Sequence, residues 1–316
     1  MSLSGFTAAD LDVYEPSKWR SNVWNKGRLE VKEKLVALGR ELAPGLCGLD
    51  GGPLEVTPSV EHPALWNHKQ VEAQHLYFSR SEGSRKDLDR VIDRARSMAQ
   101  MISDPTPQRT HIFLSVSVTF AGLEVALRLH PDAAIDRQNL ARKTADLYER
   151  EQLVHLLATL PEAIAIGVTT GPLRPCREVT ADALPELVAA LERARPAPLS
   201  PGPWLAAVWS FPRAEVVARG AAIGGDVKTA LAALLPLYWA IAWSAGNDYV
   251  SMKEALQKEK AQVKQRGLQK NDKVRIVHGV LTGKSGVVQD IDARGAVRLL
   301  VGKLAVKLDA GDLAKE

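Results

Sequence analysis

Cysteine is nearly absent from this chain of 316 residues: Cys47 and Cys176 are the only two, 129 positions apart and outside any CxxC pair. That excludes a disulfide framework and a cysteine-ligated zinc site, and it suits a reducing compartment. Aromatic residues are scarce at 5%, and seven of them are Trp, gathered toward the two ends of the long region before residue 250. Long apolar runs are lacking too. The longest, residues 230–243, is fourteen residues with Pro236 inside it, whereas about 20 are needed to cross a bilayer. No membrane partner is expected. The opening MSLSGFTAADLDVYEP sets Asp10, Asp12 and Glu15 where a secretory signal needs a basic start and an apolar core, so the expectation is a cytoplasmic protein.

Motifs that announce catalysis are missing as well. There is no GxSxG, P-loop, HExxH or Rossmann glycine fingerprint, and Gly220-Ala-Ala-Ile-Gly-Gly225 is only superficially like a phosphate loop. The densest histidines, His62, His68, His75 and His111, with Glu61 and Glu72 nearby, have spacings that match no compact ligand motif. The expectation is a protein without metal or cofactor, leaning away from an enzyme.

What is present is an ordinary globular composition, 46% hydrophobic and 25% charged, which argues against disorder or a fibrous repeat. The net charge of +4 is unevenly placed. Residues 253–316 hold 14 basic and 8 acidic side chains, a net of +6, leaving −2 for residues 1–252. A basic module on a near-neutral body points to a polyanionic partner.

Along the body, Leu29, Val31, Leu35, Leu38 and Leu42 recur at helical spacing over residues 25–42. A Gly- and Pro-rich stretch, residues 48–63, reads as loop, and residues 74–79 as a strand. A capped helix is expected over residues 84–102, with Lys86, Arg90 and Arg94 on a solvated face. Residues 112–120 and 123–129, split by Ala121-Gly122, have the pattern of a hairpin. A helical stretch over 132–158, a strand at 163–169 and a helix over 181–195 follow. Then come a possible strand pair at 204–211 and 214–221 and an apolar helix opened by Gly224-Gly225-Asp226, with Asp226 as its cap and Pro236 as a kink or break. Strands interspersed with helices, without a strict βαβ repeat, give an α+β body with a mixed or antiparallel sheet. Boundaries fall at 1–252 for the body, 253–269 for a charged, possibly helical linker and 270–316 for a small all-β module.

That last module carries the most specific pattern. Val274 and Ile276 alternate with Lys273 and Arg275; Gly279, Gly283 and Gly286 punctuate a turn; residues 287–291, 296–301 and 303–308 supply further strands, the last two joined through Gly302. In the last of these, Leu304, Val306 and Leu308 share one face and leave Lys303 and Lys307 on the other. The run VRIVHG, GKSG, VVQDI resembles a KOW motif, the SH3-like barrel of ribosomal proteins and NusG-type transcription elongation factors. The resemblance covers about one seventh of the chain. It implies an SH3-like barrel that docks on RNA or a ribonucleoprotein, with ribosomal or transcription proteins as possible further partners. The residues placed to contact such a partner are Lys273, Arg275, His278, Lys284, Arg298, Lys303 and Lys307. The body, with GFTAADLDVY, ALGRELAP, QHLYFSR and LLPLYWAIAW, resembles the uncharacterised bacterial YktB-like proteins, a likeness that transfers no activity.

Two other functions remain open on the residues alone. Trp204, Trp209, Trp239 and Trp243 suit a core or a subunit interface, which suggests a protein-interaction or self-assembling homo-oligomer. Asp87, Asp89, Asp93 and Glu124 are the carboxylates a metal-dependent nuclease would use.

Overall fold

The computed structural model describes residues 5–48, 52–64, 67–86, 88, 107–193, 203–251, 268–278, 281–291, 296–302, 304–309 and 312–315. The chain divides into two compact units, Met1–Val250 and Ser251–Glu316. The charged connector expected over 253–269 lies, up to residue 267, outside the described residues, as does most of the helix expected over 84–102.

The first unit opens with α1, Ala8–Asp12, held by a reciprocal cap in which Thr7 Oγ1 accepts from the Asp10 N–H and the Asp10 carboxylate accepts from the Thr7 N–H. Next comes α2, Asn25–Leu42. Its buried Val31, Leu35, Leu38 and Leu42 are the stripe that the helical period dictates, whereas Leu29, expected with them, is 42% exposed. Arg28, on the first turns of α2, is buried because its guanidinium donates to the carbonyls of Lys18 and Ser21 and to the Asn25 side chain.

Seven strands build the central sheet: β1 (Glu55–Pro58), β2 (Ala73–Ser79), β3 (Phe113–Thr119), β4 (Gly122–Leu129), β5 (Ile164–Val168), β6 (Arg174–Pro175) and β7 (Leu205–Pro212). Their order is β1-β2-β3-β4-β7-β5-β6, and every pairing is antiparallel. Strand alternation puts Leu76, Val116, Val125, Trp209 and Ile164 in one cross-strand row, and their neighbours Tyr77, Ser115, Ala126, Val208 and Ala165 in the row on the opposite face. The first face carries the main core together with α2. Against the same core pack α3 (Ala134–Ala145), α4 (Leu147–Thr159), α5 (Ala183–Arg193), α6 (Arg213–Arg219) and α7 (Ile223–Ile241). The second face has a floor of small side chains, and Ser115, Ser117, Ala126 and Ala206 on it are buried.

Several expectations need correction. The loop at 48–63 contains β1. The helical stretch at 132–158 is two helices, because Asp146 leaves the helical conformation and its side chain caps α4 through the Glu149 N–H at 3.0 Å. Residues 214–221 form α6 and a following turn instead of a strand. Pro212 has the extended geometry of an N-cap, and Val216 turns into the core while Val217 stays 39% exposed. A helix runs unbroken through Pro236. Asp226 does not cap it but holds Arg219 through both carboxylate oxygens at 3.0 Å. The run Arg213–Ile241 is long and apolar enough by composition to cross a membrane. It is interrupted at Gly220, however, and Ile223, Val227, Leu231, Leu234, Leu237 and Ile241 are buried in the core. This is the pattern of a core helix.

Candidate nucleic-acid interface

The second unit is a five-stranded antiparallel sheet in the order β11-β10-β9-β8-β12. Its strands are β8 (Lys273–Ile276), β9 (Ser285–Ile291), β10 (Ala296–Val301), β11 (Leu304–Asp309) and β12 (Leu313–Lys315). The protein is therefore an α+β body with an antiparallel sheet, followed by a small all-β unit. Alternation buries Val274, Ile276, Val288, Val297, Leu299 and Leu313 in one small core, with Val306 and Leu308 packed against it. Two glycines make this geometry possible. Gly283 has φ +86 and its N–H bonds to the Ile276 carbonyl at 2.7 Å, closing the turn between β8 and β9. A Cβ on Gly286 would stand 2.7 Å from Leu299 Cδ2 and 2.8 Å from the Leu300 carbonyl, so only hydrogen lets β9 lie this close to β10.

With the apolar side chains inward, Lys273 and Arg275 on β8, His278 and Lys284 in the β8–β9 turn, Arg298 on β10 and Lys307 on β11 are all exposed. Lys303 lies outside the described residues, as does Gly279. Arg298 stands opposite Lys307 across one ladder and opposite Asp290 across the other. Lys273 faces Val287, which faces Leu300, which faces Ala305. The outward face is thus cationic at its margins, with an apolar strip through it and one carboxylate beside Arg298. Leu304, expected to share the inner face with Val306 and Leu308, is 63% exposed at the start of β11. At the opposite edge, Lys315 bonds Asp272 at 2.8 Å and the Gln269 N–H adds a second bond at 2.7 Å; together they hold the Asp272 carboxyl below its usual range.

The residues named for other chemistries are scattered. Glu124 pairs with Arg128 at 3.0 Å on β4, while Asp87, Asp89 and Asp93 lie outside the described residues. Among the described residues no group of three or more His, Cys, Asp or Glu could hold a metal. His75 accepts or donates a 2.7 Å bond with Ser117 Oγ and stacks on Tyr77; burial and the Arg128 charge lower its pKa to about 3. Burial pushes the Cys176 thiol up to about 12, so it is no nucleophile at neutral pH. Of the tryptophans, Trp204 meets Phe113 and His130 edge-on, Trp209 stacks on Phe211, and Trp239 is 37% exposed with its indole N–H on the Cys47 carbonyl.

One cluster in the body was not visible in the sequence. Helix α3 turns Asp136, Asn139 and Lys143, at positions i, i+3 and i+7, inward, and all three are buried. Asp136 Oδ1 accepts from the Trp243 N–H at 2.7 Å and from Arg80 Nη2 at 3.3 Å, and Oδ2 accepts from the Ile112 N–H at 2.9 Å. Burial alone would raise its pKa, but bonding to His111 and the charge of Arg80 outweigh this, and the carboxyl is held below its usual range. Asn139 bridges the Ile241 carbonyl and the Tyr249 N–H, and Lys143 Nζ donates to the Ala240 carbonyl and Asn247 Oδ1. These groups satisfy carbonyls left over at the C-terminus of α7. A polar stripe on a helix reads as a solvated face in sequence; only its burial reveals the network.

No family model matches the sequence, and none of the curated proteins is significantly similar to it.

Proposed function

We propose that this protein docks on RNA or a ribonucleoprotein through its C-terminal unit, which we read as a KOW-type SH3-like barrel. The carrying observation is the placement of the charge: a net of +6 belongs to residues 253–316, and Lys273, Arg275, His278, Lys284, Arg298 and Lys307 all reach solvent from one small sheet and its turn. Cations on a surface of this size attract the phosphate backbone without reading bases, so the contact is sequence-tolerant and salt-dependent. The body is the part that such docking brings to its target.

The test is capture from lysate by full-length protein and by the R275A/R298A/K307A variant, with and without nuclease, followed by identification of both RNA and protein. Loss of RNA or ribosomal proteins with the variant supports the reading. Identical partners for both proteins overturn it. A second reading rests on the apolar strip of Val287, Leu300 and Ala305: the same face contacts a protein. Partners that survive nuclease and are lost with Leu300→Asp favour that reading.

A further inference from the structure

Tyr249 is the last aromatic residue of the chain. Residues 250–316 contain no Phe, Tyr or Trp, and His278 carries the one ring there. This bears on the form of RNA that the second unit can hold. Proteins hold single strands largely by stacking bases on aromatic side chains along a basic groove. With no such platform in the second unit, attraction to phosphate is left to set the affinity, and that attraction grows with charge density. A duplex presents one charge per about 1.7 Å of its axis in the B form, against about 3.4 Å for one of its strands.

The placement of the cations gives a second reason. On the outward face Lys273 and Arg275 stand on β8, while Arg298 and Lys307 face each other on β10 and β11. One strand, β9, separates β8 from β10. With neighbouring strands about 4.8 Å apart and same-face residues about 6.8 Å apart along a strand, the backbones at Lys273 and Arg298 are roughly 10–15 Å from each other. Between the two groups lie Val287 and Leu300, both half-buried and short. Two cationic groups on either side of an apolar strip fit the two phosphate backbones that border the wide, shallow minor groove of an A-form helix, with the sugar edges resting on the strip. The deep major groove of B-form DNA is instead read by an inserted helix or two-stranded ribbon.

Resting on the RNA-docking reading above, we propose that the ligand of the second unit is double-stranded RNA. The face grips both backbones across the minor groove, irrespective of base sequence.

Fluorescence anisotropy with full-length protein tests this. The probes are a labelled RNA strand without self-complementarity, the same strand annealed to its complement, a second RNA duplex of unrelated sequence, and the DNA duplex of the first sequence. The RNA duplex is expected to bind about tenfold or more tighter than the single strand, the two RNA duplexes within about threefold of each other, and the DNA duplex about threefold or more weaker. The R275A/R298A/K307A variant, changed only at exposed positions, should lose about tenfold or more on the RNA duplex while its melting temperature stays near wild type. Single-stranded RNA bound as tightly as the duplex overturns the proposal and leaves RNA docking standing, and so does a DNA duplex bound as tightly as the RNA one. Binding of neither RNA form, or a variant that binds like wild type, overturns the docking reading and this proposal with it.

Discussion

Asp290 lies directly opposite Arg298 across the β9–β10 ladder, and immediately beyond Arg298 the register shifts so that Gln289 has no place in the pairing. Both Gln289 and Asp290 are exposed as a result. The bulge therefore sets a carboxylate beside Arg298 on the outward face, and under the proposed RNA docking it would compete with phosphate for that cation.

Removing that competition should strengthen RNA binding. Asp290→Asn is expected to raise affinity severalfold at low salt, whereas Arg298→Ala should lower it and flatten the slope of log K against log salt by roughly 0.7 to 0.9, the range for one phosphate contact. Fluorescence anisotropy with a labelled RNA at several salt concentrations reads both.

Acid should weaken the body through two groups in succession. His75 has its folded pKa lowered to about 3, against an unfolded value near 6.5. Its contribution to stability is complete above the unfolded value and is lost progressively as pH falls from there toward 3. Asp136, also lowered, contributes above about 3.9 and loses this as pH falls through its depressed folded value. Urea unfolding at pH 7, 5.5 and 4.5 should show declining stability for wild type and a flatter profile for His75→Gln.

Asn247 donates to the carbonyls of Trp239, Ala240 and Ala242 and accepts from Lys143. Asn247→Ala removes the side-chain donor to the Trp239 and Ala242 carbonyls, while the Ala240 carbonyl keeps Lys143, and a loss of about 1–3 kcal/mol is expected in chemical denaturation. Asn247→Asp keeps the bond to Lys143 but turns a carboxylate toward the carbonyls, so it should not rescue.

Gly286→Ala tests the close approach of β9 and β10. Forcing a methyl against Leu299 and the Leu300 carbonyl should cost about 1–3 kcal/mol. Hydrogen exchange of full-length protein should show faster exchange in β8, β9 and β10.

Where local pattern and burial agree, the sequence was readable. The stripe of α2, the β3–β4 hairpin and the alternation of Val274 and Ile276 all follow from one buried face with a fixed period, although the hairpin turns at Phe120-Ala121, with Gly122 already paired to Thr119. Reading failed where tertiary context decides. Val216 and Val217 favour a strand by their branching, yet only one side of that segment is covered, and a helix that buries Val216 satisfies it. β1 is four residues in a Pro- and Gly-rich stretch and exists because β2 offers it a partner along its whole length. Arg80, in the unremarkable run SRSEGSR, gains its role only from Asp136, 56 positions away. The outward row of β8 through β11 was partly legible: the cations are exposed as alternation requires, but the bulge that brings Asp290 beside Arg298 depends on pairing and leaves no local mark.

The two margins of the body's sheet, β1 ending at Pro58 and β6 consisting of Arg174 and Pro175, have a bearing on how the molecule behaves in a crowded solution. Proline has no N–H to offer a neighbouring strand, and a two-residue strand is too short to template one. Both borders are therefore poor templates for an intermolecular sheet in a body rich in Val, Leu and Ile. Contact between two bodies would then fall to side chains, such as those of exposed Leu147 and Tyr148 at the start of α4.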